Sequence, residues 1–363
     1  MEINKECKNH HGLFQMSEVR KIRIGIVGAG SIVCQKHLPG LLRIPGVEVK
    51  IICNRSLVSA NAVATKFSIG EHSDNWREVM GRSDLDAIWI GTTPELHAPI
   101  AVEALNNGKH VFCQARMSDS YLGAKAMLEC AHQHPNLVAM ICPPPNAMKN
   151  GLYLKYLLSE KVIGELHHFH LHSLISSWSD PTAEAHWRQR KEISGINILS
   201  AGIYAEVLGH FFGEPKSLVA QGRVCYKNRL GYEVEVPDYL QVLARWEGGL
   251  DGTLTWSGVA HHGGDDYLKI FGSLGTIVYN FRTDKLFLGL REDSELKELE
   301  VPIEYRREWT VEEDFISAVV NQHRVEPSFD TSLKYMKFVE AVNISLKTGE
   351  RVNLDKISQC IVM

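Results

Sequence analysis

The stretch GIVGAGSIV, residues 25–33, follows directly on the apolar, β-branched run KIRIGIV. Gly28 permits a tight turn at the end of a strand. Gly30 lets a pyrophosphate approach the backbone at the positive end of the helix that Ser31 and Ile32 begin. Val33 stands where the full fingerprint has Gly or Ala. In a strand–turn–helix setting the pattern predicts dinucleotide binding. A second stretch, CNRS, closes the next strand. An Asp or Glu there would hold a ribose 2′-hydroxyl and repel a 2′-phosphate. Asn54, Arg55 and Ser56 stand there instead, which favours NADP, with NAD as the alternative. Arg55 has two further readings, a solvated charge or a stacking partner for adenine.

These residues need a scaffold, and the sequence supplies one. Residues 21–143 alternate short apolar runs with helix-periodic segments of roughly 10–15 residues. KIRIGIV, VEVKIICN, LDAIWIGT, HVFCQ and NLVAMIC read as strands. VCQKHLPGLLRI, SANAVATKF, HAPIAVEALNNG and YLGAKAMLECAHQH read as helices. Such alternation implies right-handed crossovers and a parallel sheet. The run PPPN at 143–146 ends it, because consecutive prolines supply no sheet or helix donors. After one helix, GLYLKYLLSEK, period-two strands take over, from GELHHFHLHSLI to GTIVYNF, and helices return at 310–349. Thr310 with Glu313 predicts a capping box, and Gly349 a helix stop. The fold class is therefore α/β: a parallel Rossmann-type sheet over 21–143, then an α/β domain over 144–363 with an open, mostly antiparallel sheet. Residues 1–20 read as a polar extension.

Two domains suit 363 residues. A formal net charge of −4 argues against nucleic acid or an anionic membrane surface. No apolar run approaches the roughly 20 residues that span a bilayer. The eight cysteines include no C-x-x-C pair, which points to reduced thiols in a cytoplasmic protein. His168, His170 and His172 share one strand face, but no Asp or Glu lies in that run to complete a site, so no metal is expected. That face reads as exposed or subunit-contacting. Strands such as YLQVLARWEG and GTLTWSG predict large apolar residues on an open sheet face, and so a homo-oligomer built on it.

The chain resembles the family of glucose–fructose oxidoreductase, inositol dehydrogenase and MocA-type oxidoreductases. GIVGAGSIVCQKHLP carries its opening, with His37 and Pro39. WIGTTPELHAPIAVEALNNGKHVFC carries its central signature, HWRQR its Trp-Arg loop, and VEEDFISAVVNQHRVEPSFD and NISLKTGERVNL its C-terminal signature. The resemblance covers nearly everything after residue 20. It implies sugars, polyols or related compounds as substrates. It places Thr93, Pro94 and His97 near the nicotinamide half of the cofactor and makes Thr92 a cofactor-binding residue. It makes Trp178, Asp180, His186, Trp187 and Arg188 of the loop SSWSDPTAEAHWRQR candidates for the substrate pocket.

The departures from the family concentrate at one place. Its Glu-Lys-Pro motif, whose lysine sits by the nicotinamide, is here Gln114, Ala115 and Arg116. In SGINILSAGIY, Ser200 stands where the family has an Asp and Tyr204 where it has the proton-transferring His; Gly202 is kept. Gln114 and Ala115 are then cofactor neighbours, and Gln114 a neutral hydrogen-bonding group. Tyr204 is expected to handle the proton, its phenol lowered from about 10 by Arg116. Ser200 and Tyr204 are also expected to line the pocket. The leading reading is an NAD(P)-dependent oxidoreductase acting on a sugar, cyclitol or related polyhydroxy compound with an altered acid/base set. The alternatives are a catalytically silent nucleotide-binding sensor or accessory protein, and redox-assisted elimination or glycoside cleavage.

Overall fold

The computed structural model describes residues 21–145, 149–264 and 266–357. The expected N-terminal extension and Asn146, the last residue of the expected boundary run, lie outside them.

Six strands form the first sheet: β1 (Ile22–Val27), β2 (Val47–Cys53), β3 (Glu71–Ser73), β4 (Ala87–Ile90), β5 (His110–Cys113) and β6 (Ala139–Ile141), in the order β3-β2-β1-β4-β5-β6. All pairs are parallel. Such strands are covered on both faces, so their residues are apolar almost throughout; every residue of β4 is buried. The crossover helices are α1 (Leu38–Leu41, continuous with a π-turn over Val33–His37), α2 (Leu57–Lys66), α3 (Trp76–Met80), α4 (Pro94–Asn106) and α5 (Tyr121–Gln133). The strand order reverses between β1 and β4, which opens the crevice where such sheets bind ligands.

The second domain begins with α6 (Gly151–Ser159) and β7 (Leu166–Leu174), then α7 (Lys191–Ser194) and α8 (Ala201–Phe212). Strands β8 (Ser217–Arg223), β9 (Asn228–Arg229), β10 (Tyr232–Glu233), β11 (Tyr239–Arg245), β12 (Asp251–Ser257), β13 (Asp266–Gly272), β14 (Gly275–Asn280), β15 (Lys285–Leu290) and β16 (Lys297–Glu298) follow. Helices α9 (Val311–Asn321) and α10 (Phe329–Thr348), and β17 (Val352–Asn353), complete it. Apart from the β9–β10 hairpin, these strands form one nine-stranded sheet, β16-β15-β14-β13-β7-β12-β11-β8-β17. Its neighbours pair antiparallel except β7 with β12.

Burial alternates along β11, with Leu240, Val242 and Ala244 inside and Gln241, Leu243 and Arg245 outside. Trp256 and Leu254 of β12 are also buried. The large apolar residues expected on an open face thus mostly point inward. The outer face carries His168, His170 and His172, with Tyr267 and Phe271 beside them. The period-two pattern fixes which residues share a face, but not which face the helices cover.

Helix α9 returns to the first domain. Phe315 meets Trp89 and Phe112 edge-on, at ring separations of 5.7 and 5.8 Å, while those two rings stack at 3.6 Å. Thr310 precedes α9 but forms no capping box; its hydroxyl donates to Asp314 at 2.9 Å.

Candidate active site

The glycine loop has the geometry a pyrophosphate needs. Gly28 has φ +89°, and a Cβ there would lie 2.4 Å from the Thr92 nitrogen. Only glycine lets the loop after β1 cross this closely over the end of β4. Above Gly30 a Cβ would meet nothing within 4 Å. Ser31 and Ile32 are exposed beside that open space. The Thr92 hydroxyl is buried and has no hydrogen-bond partner among the described residues. An open cradle and an orphaned hydroxyl at the sheet's crevice suit a bound dinucleotide.

The NADP trio is partly committed within the protein. Asn54 accepts the Ala29 N–H at 2.7 Å and so braces the glycine loop. Ser56 caps α2, accepting the Ser59 N–H at 3.3 Å. Arg55 is exposed and has no described partner. The three were expected to greet a 2′-phosphate together; only Arg55 is uncommitted.

Thr93 and Pro94 start α4, with Pro94 in the first turn where its missing N–H costs nothing. His97 lies one turn on, buried, with Nδ1 2.8 Å from the Arg116 carbonyl and Nε2 3.0 Å from that of Thr92. Burial lowers its pKa, and a neutral ring donates to one carbonyl at a time. His97 therefore stands between the end of β4 and the main chain after β5 and bonds one of the two carbonyls at a time. That main chain is Gln114-Ala115-Arg116, whose 115–116 peptide is cis. Gln114 and Ala115 are half-buried, and Arg116 is 2% exposed.

Arg116 reaches a cleft of about 660 Å³, lined otherwise by second-domain residues. Trp178, His186, Arg188 and Ser200 line it too. Gly202 lets α8 approach: a Cβ there would stand 3.1 Å from Arg116 Cδ. His186 accepts the Arg188 N–H on Nδ1 at 3.2 Å, and burial, then the Arg188 charge, lowers its pKa. The Arg188 guanidinium lies 4.2 Å over the Trp187 ring.

Three expected site residues fall elsewhere. Asp180 is exposed and binds its own turn, accepting the Thr182 N–H and hydroxyl at 2.8 and 2.7 Å. Trp187 carries Arg188 and is not among the lining residues. Tyr204 is buried and absent from the lining, and its hydroxyl donates to Asp266. Burial and the Asp266 carboxylate push the phenol's pKa well above its ordinary value. That shift runs opposite to activation by Arg116.

The structure adds a chain of contacts that short-range patterns do not show. The Gln114 amide meets His37 Nε2, and His37 Nδ1 meets the Glu312 carboxylate. Glu312 also accepts from Trp309 Nε1 at 2.9 Å. A neutral His37 with its proton on Nδ1 satisfies both contacts, donating to Glu312 and accepting from Gln114. Glu312 and His37 are 275 residues apart. The only sequence signal was that each falls in a family signature. Arg229, Ser173 and Ser257 of the cleft lining carried no sequence signal at all.

Residues 22–141 match the model of an oxidoreductase family with an NAD-binding Rossmann fold, and residues 152–278 match the GFO/IDH/MocA C-terminal domain. The chain belongs to the GFO/IDH/MocA family. Among its relatives is 4-carboxy-2-hydroxymuconate-6-semialdehyde dehydrogenase of a Sphingobium species, 30% identical over 40% of this chain and 44% of that enzyme. The match thus takes in less than half of that relative's length. Levoglucosan dehydrogenase of Pseudarthrobacter phenanthrenivorans is 26% identical over 67% of this chain and 68% of its own. A structure of levoglucosan dehydrogenase with NADH and levoglucosan superposes with TM-score 0.81 at 22% identity, over 92% of this chain and 99% of that one. The GFO/IDH/MocA fold is thereby shared along almost the whole length.

Proposed function

We propose that this GFO/IDH/MocA protein is a nicotinamide-dependent oxidoreductase acting at a hydroxyl-bearing carbon of a sugar, cyclitol or related polyhydroxy compound. One observation carries the reading. The segment Gln114–Arg116 leaves the dinucleotide-binding sheet at β5, and its last residue lines the second domain's cleft. A cofactor over Gly30 and a substrate in the cleft would meet there. The open cradle at Gly30 and the unpaired Thr92 hydroxyl fit that cofactor. When bound, it supplies the hydride donor or acceptor.

The acid/base set differs from the family's. Ser200 and His186 offer the cleft a hydroxyl and an imidazole. The lowered pKa keeps His186 neutral near pH 7, so it accepts a proton only by releasing the Arg188 N–H. His186→Ala should lower turnover roughly 10²–10⁴-fold and leave cofactor affinity nearly unchanged. Single-turnover hydride transfer over a sugar and cyclitol panel tests the reading. No transfer to any member would replace it with a nucleotide-binding sensor.

Arg55 supports a preference for NADP, since it stands exposed beyond β2 without a partner among the described residues. Calorimetry with both cofactors should show Arg55→Ala losing NADP affinity selectively. The uncovered sheet face supports a homo-oligomer. The six described cysteines, all free, support a reducing compartment such as the cytoplasm.

A further inference from the structure

The cleft is built around positive charge that the described residues do not balance. Arg116 is 2% exposed, and its guanidinium makes no hydrogen bond or ion pair with any described residue; its buried Nε has no acceptor. Arg188 rests on the Trp187 ring and has no described carboxylate partner. Arg229, also 2% exposed, donates to the main-chain carbonyls of Asp180, at 2.6 Å, and Trp178. Against these three guanidiniums the lining has a single carboxylate, the exposed Glu184.

A buried, unpaired guanidinium is strongly unfavourable, and proteins keep one where a ligand completes it. Burial and the nearby Arg188 charge push the Arg116 pKa down to about 9. The two cations thus disfavour one another, and an anion between them would relieve both. Guanidinium forks match the planar, two-oxygen edge of an oxyacid and give a hydroxyl far less.

We propose that the substrate carries an oxyanion, a carboxylate or a phosphate, held by Arg116 and Arg188, so that the site takes a sugar acid or sugar phosphate in preference to a neutral polyol. The polyhydroxy part of that substrate rests on the oxidoreductase reading above; the anion rests on the two arginines alone. The cleft volume of about 660 Å³ accommodates a molecule of this size.

The test uses the full chain, saturated with its dinucleotide, and matched probes: D-glucose, D-glucuronate and D-glucose 6-phosphate, with corresponding galactose and inositol sets. Binding is read by calorimetry and by thermal shift. At least one anion should bind ten-fold or more tightly than its neutral counterpart, and the better of the two classes identifies carboxylate or phosphate. Arg116→Met and Arg188→Gln should each weaken that anion roughly 10- to 100-fold, the loss of a charge-assisted hydrogen bond. Both should leave dinucleotide affinity unchanged. Should Arg116→Met fail to fold, the half-buried Arg188 carries the test. No preference for any anion, or undiminished anion affinity in Arg188→Gln, overturns the proposal. Lost dinucleotide affinity in both variants also overturns it, assigning the guanidiniums to the cofactor. Hydride transfer separates the two readings. Transfer to neutral polyols alone sinks the anion; anion binding without any transfer sinks only the oxidoreductase reading.

Discussion

Two glycines two residues apart in the loop after β1 do different work. Gly28 holds a positive φ against the end of β4, so Gly28→Ala should destabilise the chain by about 2 kcal/mol or more in denaturant unfolding. Gly30 faces open space. Gly30→Val should change stability by less than about 1 kcal/mol, yet weaken dinucleotide binding at least about tenfold by blocking the pyrophosphate. Cofactor fluorescence measures the second effect. Glu206 supplies a pH test away from the cleft. It is buried, one of its oxygens has no partner among the described residues, and burial raises its pKa from 4.5 to about 8. Below pH 4.5 the group is protonated folded or unfolded. Between 4.5 and 8 only the unfolded chain ionises, so stability falls as pH rises through that window. Glu206→Gln should abolish this loss, gaining roughly 2–4 kcal/mol over wild type at pH 8.5 and far less at pH 5. Parallel slopes for the two proteins would refute it.

Among the elements, α2 shows how one residue can suggest two roles. Ser56 reads as a phosphate ligand by its place after β2, and the structure makes it the helix cap. Ser56→Ala should therefore cost about 1 kcal/mol in unfolding free energy, while the ratio of NADP to NAD affinity stays the same. A changed ratio would restore Ser56 to the cofactor site. At α9 the expected capping box is absent because Thr310 turns to Asp314. The helix stop at Gly349 holds, with φ +72° and its N–H on the Ser345 carbonyl at 2.8 Å.

For the whole molecule, the nine-stranded sheet keeps one face under α8 and α10 and, among the described residues, leaves the other uncovered. Leu243, 53% exposed, stands on that outer face, in β11. If copies of the chain pair there, light scattering at micromolar concentration should show more than a monomer. Leu243→Glu should shift the size toward the monomer without lowering the unfolding midpoint of the isolated subunit. A wild-type monomer would end the proposal. Among the described residues no helix is long and apolar enough to cross a membrane.

The sequence alone determined whatever depends on neighbours a few residues apart. Strand and helix alternation, the turn at Gly28, the parallel sheet and the antiparallel one after it follow from periods of 2 and 3.6 and from glycine's freedom. The family motifs are local strings and were legible for the same reason. Tertiary structure decided which atoms those residues meet. From the sequence Tyr204 reads as the proton-handling residue, and in the fold its hydroxyl donates to Asp266, 62 residues away. Asn54 reads as a cofactor ligand, and the fold also has it brace Ala29, 25 residues back. Gln114 leans on His37, and His37 on Glu312, across 275 residues. Arg116 read as an electrostatic aid; its near-complete burial without a counter-charge emerged only when α8 and β5 packed together. Hydrogen-bond partners and burial are properties of chain segments brought together by packing, and no local period encodes them.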